Sequence, residues 1–158
     1  MILNLIKNKK GFTLNELVVA VSIMGILASV AIPRLSAVQY QTQKDTNIAN
    51  MNVIRETFFH YFYRQHMAGN PHFPPNPTNT DHLMDEEWAN APMDSSLSPL
   101  APKDLFSTGH VPLNSQENPF YYETIYDFDV DGSMKFTIIL KDIDIDSPSY
   151  DLSFSYSI

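Results

Sequence analysis

Hydrophobic and polar positions change their pattern twice along this 158-residue chain. Residues 17–32 form a run without a charged side chain. The longer stretch 12–32 is 21 residues, about 31 Å as a helix, which is enough to cross a bilayer. Lys7, Lys9 and Lys10 precede it, and basic residues mark the cytoplasmic flank of a span. The pattern predicts a single-pass span with a cytoplasmic N-terminus and an exported C-terminal body.

The second pattern begins after Pro33, where apolar residues recur every three or four positions: Leu35, Val38, Ile48, Met51, Ile54, Phe58 and Phe62. This spacing predicts an amphipathic helix with one face packed on a globular body. Gly69 and Pro71 predict its end, because Gly caps a helix and Pro cannot continue it. We therefore expect one helix over residues 12–67, kinked at Pro33. An aromatic group with helical spacing is predicted to be core: Phe58, Phe59, Tyr61, Phe62 and Tyr63.

The third pattern covers the rest of the chain. Residues 71–119 hold nine of the eleven prolines, which predicts an irregular connection with one short helix at Asp81–Asn90, anchored by Trp88. From Phe120 onward polar and apolar residues alternate, and Asp131-Gly132 is typical of a hairpin turn. The predicted fold class is α+β, with a long N-terminal helix packed on a small sheet of three antiparallel strands.

Composition narrows the classes of function. The net charge is −8, and three of the ten basic residues precede Gly11, so the remainder carries −11. Such a body repels phosphates, and we expect no nucleic-acid partner. There is no cysteine, hence no disulfide and no thiolate nucleophile. The five glycines are scattered and no two histidines are four residues apart, so neither a phosphate-binding loop nor a zinc-protease helix is present. We expect a protein that is not an enzyme.

A carboxylate at the head of the span needs an explanation. Glu16 lies in "KKGFTLNELVV", and a lone charge in hydrocarbon costs at least about 2.5–3.5 kcal/mol, so it requires a partner or a purpose. The lysines and the apolar run also follow the plan of a secretory signal, with residues 28–31 as a cleavage site. The run continues directly into the amphipathic pattern, which favours a retained anchor.

The stretch "KKGFTLNELVVAVSIMGILASVAIP" closely resembles the N-terminus of type IV pilins and of the pseudopilins of type II secretion systems. The resemblance implies cleavage between Gly11 and Phe12 by a prepilin peptidase, followed by methylation of the Phe12 amine. It implies that Glu16 pairs with the amine of a neighbouring subunit during assembly. Gly25 and Pro33 match the family's helix-weakening residues, and Gly25 is equally suited to close packing between membrane helices. The remainder of the chain is expected to be pilin-like.

The resemblance divides the chain into a leader peptide at residues 1–11, a transmembrane and filament-core helix at 12–33, and an exported head at 34–158. It implies a structural subunit that self-associates into a helical filament, with prepilin peptidase and an inner-membrane assembly platform as partners. The expected location is the inner membrane before assembly and a periplasmic or extracellular filament afterwards. One alternative is a pseudopilin acting in protein export. Another is a membrane-tethered binding module that never polymerises.

Acidic residues crowd the last 32 positions and suggest a cofactor. "DFDVDG" matches the first half of a calcium-binding EF-hand loop, but the twelfth loop position is Ile138 instead of a glutamate. A hairpin turn with solvated acids is the alternative. Like charges on neighbouring strands repel each other, and a bound cation would relieve that repulsion. The hypothesis is that Ca²⁺ binds through some of five carboxylates: Asp127, Asp129, Asp131, Asp142 and Asp144. The resemblance supports this, because pseudopilins use calcium in a C-terminal loop.

Overall fold

The computed structural model describes residues 11–93 and 100–158. The predictions for the leader at residues 1–10, with its three lysines, lie outside the described residues. The chain divides into two compact units, Met1–Gln39 and Tyr40–Ile158. The architecture is the expected α+β one, a long N-terminal helix and a small antiparallel sheet of three strands.

The long helix α1 spans Leu14–Met67 and continues through Pro33. Its predicted end is confirmed. Gly69 has a φ of +84°, a conformation that costs a residue without a Cβ very little. The Gly69 N–H donates to the His66 carbonyl and the Asn70 N–H to the Gln65 carbonyl, both at 3.0 Å, which is the Schellman pattern of helix termination. The kink at Pro33 stays a prediction.

The helices of the connecting region differ from the predicted ones: helix begins later than expected before Trp88, and an additional short helix follows it. Helix α2 spans Glu86–Asn90, so the expected start at Asp81 is wrong. His82 adopts a φ of +51° and its neighbour Leu83 forms a β-bridge with Tyr121, which removes this stretch from any helix. Asp85 then caps α2 by accepting a 2.9 Å bond from the Trp88 N–H. A 3₁₀ helix, Pro102–Leu105, was not expected.

The sheet has strands β1, Tyr121–Phe128, β2, Met134–Lys141, and β3, Ser153–Ser157, in the order β1-β2-β3. Both pairings are antiparallel. The turn between β1 and β2 lies at the predicted Asp131-Gly132. The Gly132 N–H donates to the Asp129 carbonyl at 2.9 Å, and Gly132 has a φ of +83°, as in a three-residue hairpin loop that ends on a left-handed residue.

The core of the second unit lies between the amphipathic part of α1 and one face of the sheet. Phe58 meets the Tyr122 ring at 4.9 Å between centroids, and Phe62 meets Phe136 at the same distance. The predicted aromatic core is confirmed for Phe58, Tyr61 and Phe62, which are buried, and Phe59 packs at its edge. Tyr63 is 53% exposed, so its prediction as core is wrong; it lies on the opposite side of the helix.

Candidate functional site

The N-terminal motif is described from Gly11 onward, and its residues form the start of α1. Thr13 precedes the first helical residue. Its hydroxyl and its N–H both donate to Oε2 of Glu16, at 2.8 and 2.9 Å, and the Glu16 N–H donates back to the Thr13 hydroxyl at 3.2 Å. This reciprocal arrangement is a capping box, which satisfies two of the helix's free N–H donors. The capping-box signal, a Thr three residues before a Glu, was present in the sequence and was missed.

The capping box gives Glu16 two hydrogen bonds but no counter-charge. Oε2 accepts both bonds. Oε1 accepts no bond from a described residue and can therefore accept one from a further donor. The stretch between Phe12 and Pro33 contains no basic side chain, and the first one after it is Arg34. The one salt bridge within the described ranges joins Arg55 to Glu56. Among the described residues Glu16 therefore has no counter-charge.

The apolar part of α1 has no packing partner among residues 11–39, the described part of its own unit. Its side chains are largely exposed, from Phe12 at 82% to Ile32 at 64%. One helix in the described ranges, α1, is long and apolar enough to cross a membrane, and its most apolar window is entirely unburied. Two serine hydroxyls along the span, Ser22 and Ser29, each donate to a preceding backbone carbonyl at 2.7 Å. Polar groups satisfied within the helix are what a hydrocarbon environment demands.

Gly25 and Pro33 both lie inside the helical part of the first unit. A Cβ built at Gly25 meets no atom within 4 Å, so no contact in the described chain requires a glycine there. Its absent side chain is useful either for close approach of another helix or for weakening α1. Both interpretations from the sequence stay open. At Gly11 a Cβ likewise meets nothing, and the requirement for glycine would come from the peptidase.

A buried polar cluster in the second unit was missed by the sequence reading. Asp142 is fully buried at the end of β2 and accepts bonds from the hydroxyls of Ser147 and Ser149. Asn114 donates to it at 3.3 Å. Asn47 of α1, also fully buried, donates to both serine hydroxyls, at 2.9 and 2.7 Å. The cluster ties α1 to the loop that follows β2 through hydrogen bonds.

The five carboxylates proposed for calcium do not converge. Asp127, Asp129 and Asp131 lie at the β1–β2 turn, whereas Asp142 and Asp144 follow the other end of β2. That strand is eight residues, about 26 Å long, so one ion cannot take ligands from both groups. No three acidic or histidine side chains in the described ranges form a metal-binding group.

The carboxylates within each group are occupied by hydrogen bonds. Asp131 accepts from the hydroxyl and the N–H of Ser133, which lowers the pKa of its carboxyl. Asp144 accepts from the side-chain amides of Asn118 and Asn114, each at 2.9 Å, which also lowers its pKa. These donors stabilise the ionised carboxylates of Asp131 and Asp144. Calcium binding by either group alone stays a prediction.

Comparisons with known proteins support the N-terminal assignment. Residues 6–32 match the family model of the prokaryotic N-terminal methylation motif, which is the prepilin-type motif of type IV pilins and pseudopilins. No curated protein and no solved structure matches the chain. The motif points to a structural subunit, processed by prepilin peptidase and associated with the membrane. Together with the apolar start of α1 it supports anchoring in the inner membrane before assembly.

Proposed function

We propose that this chain is a structural subunit of a type IV pilus or pilus-like filament, cleaved between Gly11 and Phe12, methylated on the Phe12 amine and polymerised through α1. The observation that carries the proposal is the state of Glu16. It lies within the methylation motif at the head of an unburied apolar helix, and within residues 11–93 and 100–158 it has a capping partner but no counter-charge. Cleavage would supply that counter-charge, because it creates a cationic amine four residues away on every subunit.

Pairing between subunits follows from desolvation. A buried charge is tolerated when it meets an opposite charge and its remaining lone pairs are hydrogen-bonded. The Thr13 donors hold Oε2 of Glu16 in place, and Oε1 is left for the amine of a neighbour. Apolar helix surfaces alone do not fix the register between two helices, because sliding one apolar face along another changes the packing energy little. A single charge pair per contact fixes the register between subunits.

Substitution of Glu16 tests this proposal. Glu16→Gln removes the charge but keeps the side chain's length, so we expect membrane insertion to persist, since the span loses a charge. The yield of chain in the filament fraction sheared from cells should fall at least tenfold relative to the membrane fraction. Asp45→Asn is the matched control, an equivalent change on the exposed surface of the same helix, and should assemble normally. Normal filament yield from Glu16→Gln would contradict the pairing.

The second candidate is a pseudopilin of a type II secretion system, because the methylation motif is common to both classes. A pseudopilus is short and periplasmic, so the chain would not be recovered from the cell surface, and deletion would abolish secretion of exported enzymes. The third candidate is a tethered module that never polymerises. Crosslinking of intact cells distinguishes it, since a tethered module would give no ladder of self-linked subunits.

A further inference from the structure

The β1–β2 hairpin ends in an apolar and acidic tip, residues 127–134. Val130 is fully exposed at its end, Phe128 is 68% exposed and Met134 is 51% exposed. Phe128 and Met134 are register partners at the last rung of the ladder, beyond the buried Phe136. Apolar side chains grouped on a surface in this way mark an interaction site. Asp127, Asp129 and Asp131 flank them, so a partner must offer apolar area without negative charge.

A groove elsewhere on the same unit offers exposed apolar side chains and an arginine, Arg64, together with one carboxylate, Asp104. Two adjoining hollows of about 520 and 350 Å³ share Thr57 and Leu105 and run beside α1. We call them together the α1 groove. The helix residues that line it recur at three- and four-residue steps and lie on one face: Asn50, Val53, Thr57, His60 and Arg64. Leu105, His110 and Leu113 line the opposite side.

The two halves of the α1 groove differ in chemistry. One half mixes neutral polar and apolar side chains. Its exposed apolar side chains include Val53, which is 48% exposed, and Leu113, which is 38% exposed. The other half carries His60 and Arg64, and the Arg64 guanidinium lies over the Tyr61 ring at 5.6 Å without an ion pair among the described residues. The carboxylate lining this half, Asp104, already accepts the Ala101 N–H at 2.9 Å.

Charge decides where on a second copy the tip can dock. Residues 68–158 carry fifteen acidic and three basic side chains, so most of that surface repels an acidic tip. Of those three bases, the Lys103 ammonium donates to Asn90, and the Lys141 ammonium lies over the Tyr121 ring, as Arg64 lies over Tyr61. The third, Lys135, stands opposite Asp127 in the ladder. Arg64 is an exposed guanidinium that makes no ion pair with a described residue, and it lies in the α1 groove.

We propose that the hairpin tip of one chain docks into the α1 groove of a second copy, with Phe128 and Val130 against the exposed Val53 and Leu113 and the carboxylates of Asp129 and Asp131 near Arg64. The inference rests on the proposed function. Tip and groove are different patches, so the contact is heterologous, and a heterologous contact that does not close into a ring grows into an open filament. The head would then contribute a contact separate from the one through α1's apolar start.

Cysteine crosslinking of the full chain tests the contact, because the natural chain has no cysteine. Val130→Cys and Val53→Cys are combined in one chain, expressed in cells that process and assemble it, and the sheared filaments are oxidised. A heterologous contact predicts a ladder of many subunits on a non-reducing gel. Each single variant should remain monomeric. The matched control pairs Val53→Cys with Ile145→Cys, a side chain 77% exposed on another loop, and should give no ladder.

The possible outcomes distinguish a failure of the docking proposal from a failure of the proposed function on which it rests. Filaments that form normally but give no ladder from the Val130 and Val53 pair overturn the docking proposal and leave the proposed function standing. A dimer from Val130→Cys alone overturns it in favour of a symmetric tip-to-tip contact, and a link to a different protein overturns it in favour of another partner. Absence of filaments from the unmodified chain overturns the proposed function, and the docking proposal with it.

Discussion

Asp142 is the residue on which the head's buried polar contacts converge. Two serine hydroxyls and the Asn114 amide donate to its carboxylate, and the Asp144 N–H adds a further bond at 3.2 Å. A buried group with its partners satisfied is tolerated, but donors deprived of their acceptor each cost about 1–3 kcal/mol. The cluster therefore holds α1 and the loop after β2 in one arrangement, because alternatives leave donors unpaired.

Asp142→Ala tests that role. We expect it to lower the free energy of unfolding by roughly 2–3 kcal/mol, because two buried hydroxyls and an amide lose their acceptor. Trp88, the chain's one tryptophan, is buried in the core, so its fluorescence during denaturant unfolding reports on the head. Asp146→Ala is the control, since Asp146 is exposed and surface changes are usually within about 0.5 kcal/mol. Equal stabilities of the two variants would contradict the assignment.

The residue scale is also where sequence reasoning was least complete. Asn47, Asp142 and the two serines lie up to 102 positions apart in the sequence. No local sequence pattern predicts that their side chains are hydrogen-bonded to one another. Asp142 was read as one of several solvated acids or calcium ligands, whereas its burial depends on the tertiary fold. The capping box at Thr13 could have been predicted, because Thr13 and Glu16 are three residues apart within the motif.

At the scale of elements, the helix and strands followed from period and turn residues. The end of α1 was predictable because Gly and Pro act on the backbone locally, and the hairpin because Asp-Gly fits a left-handed turn position. The expected helical start at Asp81 failed because the Leu83–Tyr121 bridge overrides local propensity. The α1 groove depends on the path that residues 100–113 take across the helix. No local pattern in their sequence predicts that path.

Gly69→Ala tests the cap of α1. An alanine at a φ of +84° is strained by about 1–2 kcal/mol relative to glycine, so we expect the head's free energy of unfolding to fall by about 1 kcal/mol in the Trp88 assay. Gly25→Ala is the control, because that glycine lies in the helix with space for a Cβ. It should leave the head's stability unchanged. Indistinguishable unfolding curves for Gly69→Ala and the unmodified chain would contradict the Schellman assignment.

The calcium prediction divides between two elements, the β1–β2 turn and the loop after β2. If either group binds the ion, calcium at 100 times its dissociation constant adds about 2.7 kcal/mol of stability and raises the melting midpoint above that in chelator. Asp129→Asn and Asp144→Asn then identify the group, since only the variant in the binding group loses the rise. A midpoint that is the same in calcium and in chelator would contradict the prediction for both groups.

At the scale of the whole molecule, the account depends on a change made to the chain after synthesis. The described residues contain a carboxylate without a counter-charge and an apolar helix start without a partner. The proposed cleavage after Gly11 would remove the leader and create the amine that we propose pairs with Glu16 of a neighbour. The N-terminal part of this account could be predicted from sequence, because a peptidase reads a linear motif. The surface that joins heads could not, because it forms only in the folded unit.

Intact-mass measurement of the chain recovered from sheared filaments tests whether the leader is removed and the new terminus is methylated. The account predicts a chain that begins at Phe12, 147 of the 158 residues, with one methyl group on its terminal amine. The same mass should dominate in the filament fraction, and the full-length chain should be confined to the membrane. A chain that keeps its first eleven residues, or that is found only in the membrane fraction, would contradict the account.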